Sequence, residues 1–248
     1  VLPGKGGGAF GPPRSLGLGQ PPTQILAGDW NGDGKLDAAV AFFDGASIGV
    51  LPGDGALGLG PLKLLPAGSR PRSIAAADLD GDGRLDLVSA DQGADDVRVL
   101  PGKASGDFGA GVSYGTGAGP RYVTTADLNG DGALDLVVAN NSAASVSVLL
   151  GKAGGGFAPA RSFPTGTGPR ALVVAYLDGD RRLDVATVND GAKGLSVLLG
   201  DGMGGLGANA DVTIPAGARA IAAGDVNGDG KTDLVMTAAS SVTIMLNQ

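Results

Sequence analysis

The sequence predicts an all-β fold, a β-propeller of five four-stranded blades of 49 residues, and three observations carry that prediction. The first is a period: nine-residue acidic stretches begin at Asp29, Asp78, Asp127, Tyr176 and Asp225, each 49 residues after the last, so five repeats account for 245 of the 248 residues. A fixed spacing in this range marks a repeat architecture. The second is that each repeat divides into four short apolar runs with turn chemistry about every 8–12 residues, and no helix-length periodic segment occurs. The third is phase. The chain opens at Val1-Leu-Pro-Gly4, which aligns with Val148-Leu-Leu-Gly151 at the end of a third run, and finishes on Val242-Thr-Ile-Met-Leu246, another third run. Residues 1–19, with Phe10 to Leu16 as an outer strand, are therefore expected to complete the last blade and close the ring, which would remove a free sheet edge. On this reading residues 1–248 form a single domain.

The second repeat shows the elements in order. Arg72 to Ala77 is a first strand of small residues, and small residues recur at Thr124-Thr-Ala126 and Ala222-Ala-Gly224. Such side chains suit the crowded strands nearest the axis. The acidic stretch follows, then Leu85 to Ala90 as the second strand, a polar connection Asp91 to Asp96, and Val97 to Leu100 as the third. A Gly-rich turn, Pro101 to Gly106, leads to a fourth strand expected over Phe108 to Tyr114.

Composition narrows the function classes. Glycine is 47 of 248 residues, but at repeated positions between apolar runs, which argues against disorder. A net charge of −7 argues against nucleic acid or an anionic membrane surface as partner. No apolar run approaches membrane-span length, so direct membrane insertion is not expected. Without cysteine or histidine, disulfides, thiolate sites and imidazole catalysis are excluded, and metal chemistry must use oxygen ligands, which favours hard cations.

The acidic stretches read as calcium loops, at 29–37, 78–86, 127–135, 176–184 and 225–233. Oxygen-bearing side chains stand at positions 1, 3, 5 and 9, glycines at 4 and 6 let the backbone wrap, and the residue at position 7 offers its carbonyl. Four loops are complete: Asp29, Asn31, Asp33, Lys35 and Asp37; Asp78, Asp80, Asp82, Arg84 and Asp86; Asp127, Asn129, Asp131, Ala133 and Asp135; and Asp225, Asn227, Asp229, Lys231 and Asp233. The first six positions match an EF-hand loop, but Ser89 stands where its twelfth-position Glu would be, and a strand follows instead of a helix. In the fourth loop Tyr176 replaces the first Asp and Arg181 the second Gly, so this copy, which keeps Asp178, Asp180 and Asp184, is expected to bind calcium weakly or not at all. About four Ca2+ ions are thus implied. Unneutralised, carboxylates this dense would repel one another at considerable cost.

The loop pattern Asp-x-Asp/Asn-Gly-Asp-Gly-x-x-Asp, set between a small-residue strand and a Leu-Asp-Leu-Val strand, resembles the FG-GAP/VCBS repeat family. The Gly-rich turn followed by Phe10, Phe108 or Phe157 does so too. That resemblance implies a calcium-binding β-propeller like those of integrin α chains, bacterial surface proteins and several lectins. Relatives mostly carry seven or eight blades, from which a ring of five departs.

If calcium is scaffold, ligand recognition belongs on the face opposite the calcium loops. Arg72, Arg121, Arg170 and Arg219 each begin a first strand six residues before an acidic loop, with Thr23 at the same place in the first repeat. They should ring the channel mouth, either as guanidinium forks for an anion or uronate or as partners of neighbouring carboxylates and strand-end carbonyls. Phe42, Asp91, Asn140 and Asn189 mark variable connections on that face, together with 238–241. The one tryptophan, Trp30, lies inside an acidic loop and offers no obvious sugar platform.

The function expected is a calcium-stabilised extracellular binding or adhesion module for a glycan or protein ligand, not an enzyme. The alternatives are a structural protein assembling by strand exchange and, less favoured, a polysaccharide-active enzyme. A monomer is expected, although strand exchange would give oligomers. Placement outside the cytoplasm (extracellular, cell surface or periplasmic, with no leader peptide in this chain) follows from the millimolar calcium that weak sites need.

Overall fold

The computed structural model describes every residue except 57, 192, 193, 216, 239 and 248, so Ala239 in the connection 238–241 lies outside the described residues. The described residues are strands and turns without helix. A short hairpin, β1 (Gly4–Gly6) and β2 (Ala9–Phe10), precedes the repeats. The first repeat holds β3 (Gln24–Gly28), β4 (Asp37–Phe42), β5 (Ser47–Leu51) and β6 (Lys63–Pro66). The second holds β7 (Pro71–Ala77), β8 (Asp86–Asp91), β9 (Asp96–Leu100) and β10 (Val112–Gly115). The third holds β11 (Pro120–Ala126), β12 (Asp135–Asn140), β13 (Ser145–Leu149) and β14 (Arg161–Pro164). The fourth holds β15 (Pro169–Ala175), β16 (Asp184–Asn189), β17 (Gly194–Leu198) and β18 (Ala210–Thr213). The last holds β19 (Ile221–Gly224), β20 (Asp233–Thr237) and β21 (Val242–Met245).

Each of the first four repeats is one antiparallel four-stranded sheet in sequence order, the meander expected of a blade, and the last is three-stranded. First strands of successive repeats pack side by side, β3 on β7, β7 on β11, β11 on β15 and β15 on β19. Polar bonds fasten these inner strands: the Ile74 N–H donates to Gln24 Oε1 at 2.7 Å, and the Val123 N–H to Ser73 Oγ at 3.3 Å.

The hydrophobic core is divided among the seams between sheets. Alternation along each strand gives a blade two apolar faces. One seam joins Trp30, Ala39, Ile48 and Val50 of the first repeat to Ile74, Leu87 and Leu100 of the second. Equivalent clusters fill the next three seams. Gly28 makes room for the first seam's tryptophan, since a Cβ there would lie 3.1 Å from the Trp30 ring. Trp30 is thus a buried packing residue.

Two expectations are corrected. Residues 1–19 do not complete the last blade: β1 pairs with β2 alone, and β20 is the sole partner of β21 among the described residues. The Gly11 N–H donates to Pro3 O and the Arg14 N–H to Val1 O, so the N-terminal segment folds back on itself. Pro12 and Pro13, which have no N–H to give a ladder, interrupt the run from Phe10 to Leu16. Among the described residues no closed ring of sheet forms. The fourth strand of the second repeat also starts late, at Val112. Phe108 makes only an isolated bridge to Gly102.

Candidate functional site

The acidic loops are wound by their own side chains. In the loop from Asp78, Oδ1 of that residue accepts from the N–H groups of Gly81 at 2.8 Å and Asp82 at 3.1 Å, and Oδ2 accepts from Gly83 at 2.9 Å. Asp29, Asp127 and Asp225 repeat the pattern. The winding needs left-handed backbone, met by Gly81 at φ 78° and Gly83 at φ 83°. At position 5, Asp33, Asp82, Asp131 and Asp229 each accept the N–H of position 7, which is Lys35, Arg84, Ala133 and Lys231 in turn. At position 3, Asn31, Asp80, Asn129 and Asn227 each accept the N–H of position 5.

Position 9 does something different. Asp37, Asp86, Asp135, Asp184 and Asp233 are all buried. In Asp135 one carboxylate oxygen accepts the Leu128 N–H at 2.9 Å and the other the Gly151 N–H at 2.8 Å. The same two bonds occur in the other four repeats, where Asn247 takes the glycine's place in the last. This aspartate ties the acidic loop to the turn after the third strand. A glycine is required there by space, because a Cβ on Gly151 would lie 2.3 Å from the Leu134 carbonyl oxygen.

The loop from Asp78 has the donor set an oxygen-ligated cation needs. Asp78, Asp80 and Asp86 each bring an oxygen within 4.8 Å of the others, a convergence seen among the described residues in the loop that carries four carboxylates. Burial, then the nearby charges of Asp80 and Asp82, push the Asp86 carboxyl above its ordinary range against the pull of its two backbone N–H donors. Asp135 is raised in the same way, by burial and then by Asp127 and Asp131. Carboxyls held in this state gain from a positive charge placed among them. The fourth loop lacks the winding bonds to position 1, where Tyr176 stands exposed, and holds Arg181 at φ 65°, strained for a residue with a side chain. Its Arg182 approaches Asp180 at 3.6 Å.

At the other end of the first strands, the arginines meet. Arg72, Arg121, Arg170 and Arg219 line one cavity of about 350 Å3 together with Thr23 and Tyr122. A six-residue strand separates them from the acidic loops by about 20 Å. Two are partnered through the connection after the second strand: Arg72 Nε donates to Gln92 Oε1 at 2.9 Å, and Arg170 pairs with Asp190 at 2.8 Å. Arg72 also stacks over Phe43, 4.1 Å from the ring centre. The guanidinium groups of Arg121 and Arg219 make no hydrogen bond or ion pair with another described residue. Burial, and then Arg170 and Arg72, push the Arg121 guanidinium below its ordinary value, Asp190 opposing them. Phe42, Asp91, Asn140 and Asn189 are not brought to this mouth. All four are buried at the ends of their second strands, where Asn140 Nδ2 donates to Ser147 Oγ at 2.8 Å and Asn189 Nδ2 to Ser196 Oγ at 2.9 Å. The residue that sequence reasoning passed over is Tyr122. Tyr122 was detectable as the one aromatic at a position held elsewhere by Gln24, Ser73, Ala171 and Ala220.

Repeated antiparallel sheets ranged about an axis define a propeller-like protein with loop sites at both ends of its blades. The chain belongs to the family of FG-GAP-like repeats, whose model matches residues 29–89, 78–138, 127–187 and 176–236. It matches none of the curated proteins it was compared with. Among solved structures it resembles an Agrocybe aegerita lectin, described as recognising non-reducing terminal N-acetylglucosamine. The TM-score is 0.70 at 21% identity, covering 100% of this chain and 70% of the lectin. A candidate 6-phosphogluconolactonase of Bacteroides fragilis gives a TM-score of 0.65 at 18% identity, over 86% of this chain and 63% of that one. The V. cholerae biofilm matrix protein Bap1 gives 0.54 at 17% identity, over 89% of this chain and 36% of that one. At these identities the likeness is one of fold.

Proposed function

We propose that the chain is a calcium-stabilised extracellular binding module whose ligand is an acidic glycan, held by its carboxylates at the arginine mouth. The observation that carries this reading is the convergence of four arginines on one cavity, two of them without a partner among the described residues. Four like charges drawn together raise one another's energy, and an anion relieves that cost. Guanidinium forks match carboxylates bidentately, and Tyr122 offers an aromatic surface beside them. The lectin likeness supports a binding role, and the family supports calcium. Bound Ca2+ supplies positive charge among the loop carboxylates. The chain's own part is to wind the loops through Asp29, Asp78, Asp127 and Asp225 and to tie them down through the position-9 aspartates. Extracellular placement goes with sites of this kind, which fill where calcium is near millimolar.

The test is a glycan array read with and without calcium, followed by calorimetry on the strongest acidic hit. Replacing both Arg121 and Arg219 by Gln is expected to weaken binding at least tenfold, to lower its salt dependence, and to leave the melting curve unmoved or raised. Selective binding of neutral glycans, undiminished in that variant, would refute the reading.

A further inference from the structure

The arginines that line the mouth recur from repeat to repeat, but the residue that follows each second strand does not. Phe43, Gln92, Asn141 and Asp190 hold this one place in the first four repeats. Its backbone is fixed without help from the side chain. The N–H groups of Gln92, Asn141 and Asp190 donate to Arg70 O, Gly119 O and Gly168 O at 3.1, 2.8 and 2.8 Å. The same turn is thus built on three different side chains, and nothing in it calls for a carboxylate. The side chains go instead to the rim of the mouth. Phe43 stacks with Arg72, Gln92 bonds the same arginine, and Asn141 Nδ2 donates to Pro169 O at 3.2 Å, next to Arg170. Asp190 differs from them in charge. One of its oxygens accepts from Arg170 Nη1 at 2.8 Å, and the side chain is still 40% exposed. No other hydrogen bond reaches its carboxylate from the described residues. Its charge is felt at Arg121 as well, where it opposes the push of Arg170 and Arg72.

We propose, building on the acidic-glycan reading, that Asp190 is a specificity-determining residue of the mouth. It selects a glycan whose carboxylate is flanked by free hydroxyls, an unsulfated uronate, over one that carries sulfate in their place. Asp190 stands in for a ligand carboxylate at Arg170, which leaves Arg121 and Arg219 to hold one anionic group. The exposed part of the Asp190 carboxylate can accept from a sugar hydroxyl beside that group. A sulfate ester at the same place has no proton to give and sets a second negative charge against the first. Attraction alone would make four clustered arginines favour the most highly charged ligand. Discrimination therefore needs a repulsive element, and Asp190 is the one carboxylate among the described residues that pairs with an arginine of the mouth.

Calorimetry on the full chain in calcium tests this, with an unsulfated chondroitin tetrasaccharide and the same tetrasaccharide sulfated on its glucuronate residues as probes. The wild-type chain is expected to bind the unsulfated form tighter by about tenfold or more. Asp190→Asn and Asp190→Ser, each shown to be folded by its melting curve, should erase or invert that preference, chiefly by tightening the sulfated form. Asp107→Asn removes the same charge from the turn after the third strand, at the acidic-loop end, and should keep the preference. A purely structural ion pair would instead give a lower melting temperature with the preference unmoved. A wild-type chain that prefers the sulfated form, or a preference that survives both Asp190 variants, overturns the proposal and leaves acidic-glycan binding standing. A wild-type chain that binds neither probe removes that binding itself, and the proposal with it.

Discussion

Asp91 is a carboxylate where two sister repeats carry an amide. It is buried, accepts from Ser89 Oγ and from the Gly68 N–H at 3.0 Å each, and leaves its second oxygen without a partner. Burial lifts its pKa from 3.8 to about 7. A carboxyl raised on folding stabilises the fold in its protonated form. That contribution is complete below pH 3.8 and is lost as pH rises through about 7. Asp91→Asn should therefore flatten the stability profile over that interval and, at pH 8, raise stability by about 1–3 kcal/mol. Denaturant melts of the two proteins at pH 4 and pH 8 check it. A variant less stable than wild type at pH 8 would contradict the assignment. The repeat spacing aligns Asp91 with Asn140 and Asn189, so their shared structural position was legible in the sequence. Their burial was not. Polar residues beside Gly and Ala read as a loop, and the hairpin bonds of the two asparagines to Ser145, Ser147 and Ser196 show them as strand ends.

At the scale of the element, the acidic loop performs two tasks that composition alone does not separate. Positions 1, 3 and 5 wind it, and position 9 binds it to the far turn of its own blade. The fourth repeat separates them, having lost position 1 and kept Asp184. Asp184→Ala should cost about 2–4 kcal/mol, because the buried Gly200 N–H and the partly buried Leu177 N–H lose their acceptor, and the loss should be the same in chelator as in calcium. A variant that melts with wild type would show the tie to be dispensable. Conversely, Tyr176→Asp combined with Arg181→Gly restores the winding residue and the left-handed glycine. Calorimetric titration of that double variant should find one more calcium site than in wild type. An unchanged stoichiometry would mean that these two losses are not what disables the loop. The nine-residue pattern made the loops and their degenerate copy plain. The role of Gly53, Gly102, Gly151 and Gly200 became plain only in three dimensions, where each donates its N–H to a position-9 aspartate and packs against a backbone carbonyl.

Across the whole molecule, the repeat period foretold sheets and their order, because each blade reads from local alternation and turns. Closure was not legible, since it depends on whether two distant edges meet. The alignment of Val1 to Gly4 with a third strand pointed to a completed last blade. Pro12 and Pro13, and the fold-back of residues 1–14, prevent the ladder that would have done so. What remains is a series of blades joined by apolar seams, fastened at one end by acidic loops and carrying the arginines at the other. The claim on which this account rests is that the acidic loops are metal staples. Its most direct measurement is the thermal melt of the wild-type chain in about 1 mM calcium and in chelator. A site with a dissociation constant of about 10 µM would contribute about 2.7 kcal/mol at that concentration. Four such loops predict a markedly higher melting temperature in calcium, and superimposed curves would contradict the account.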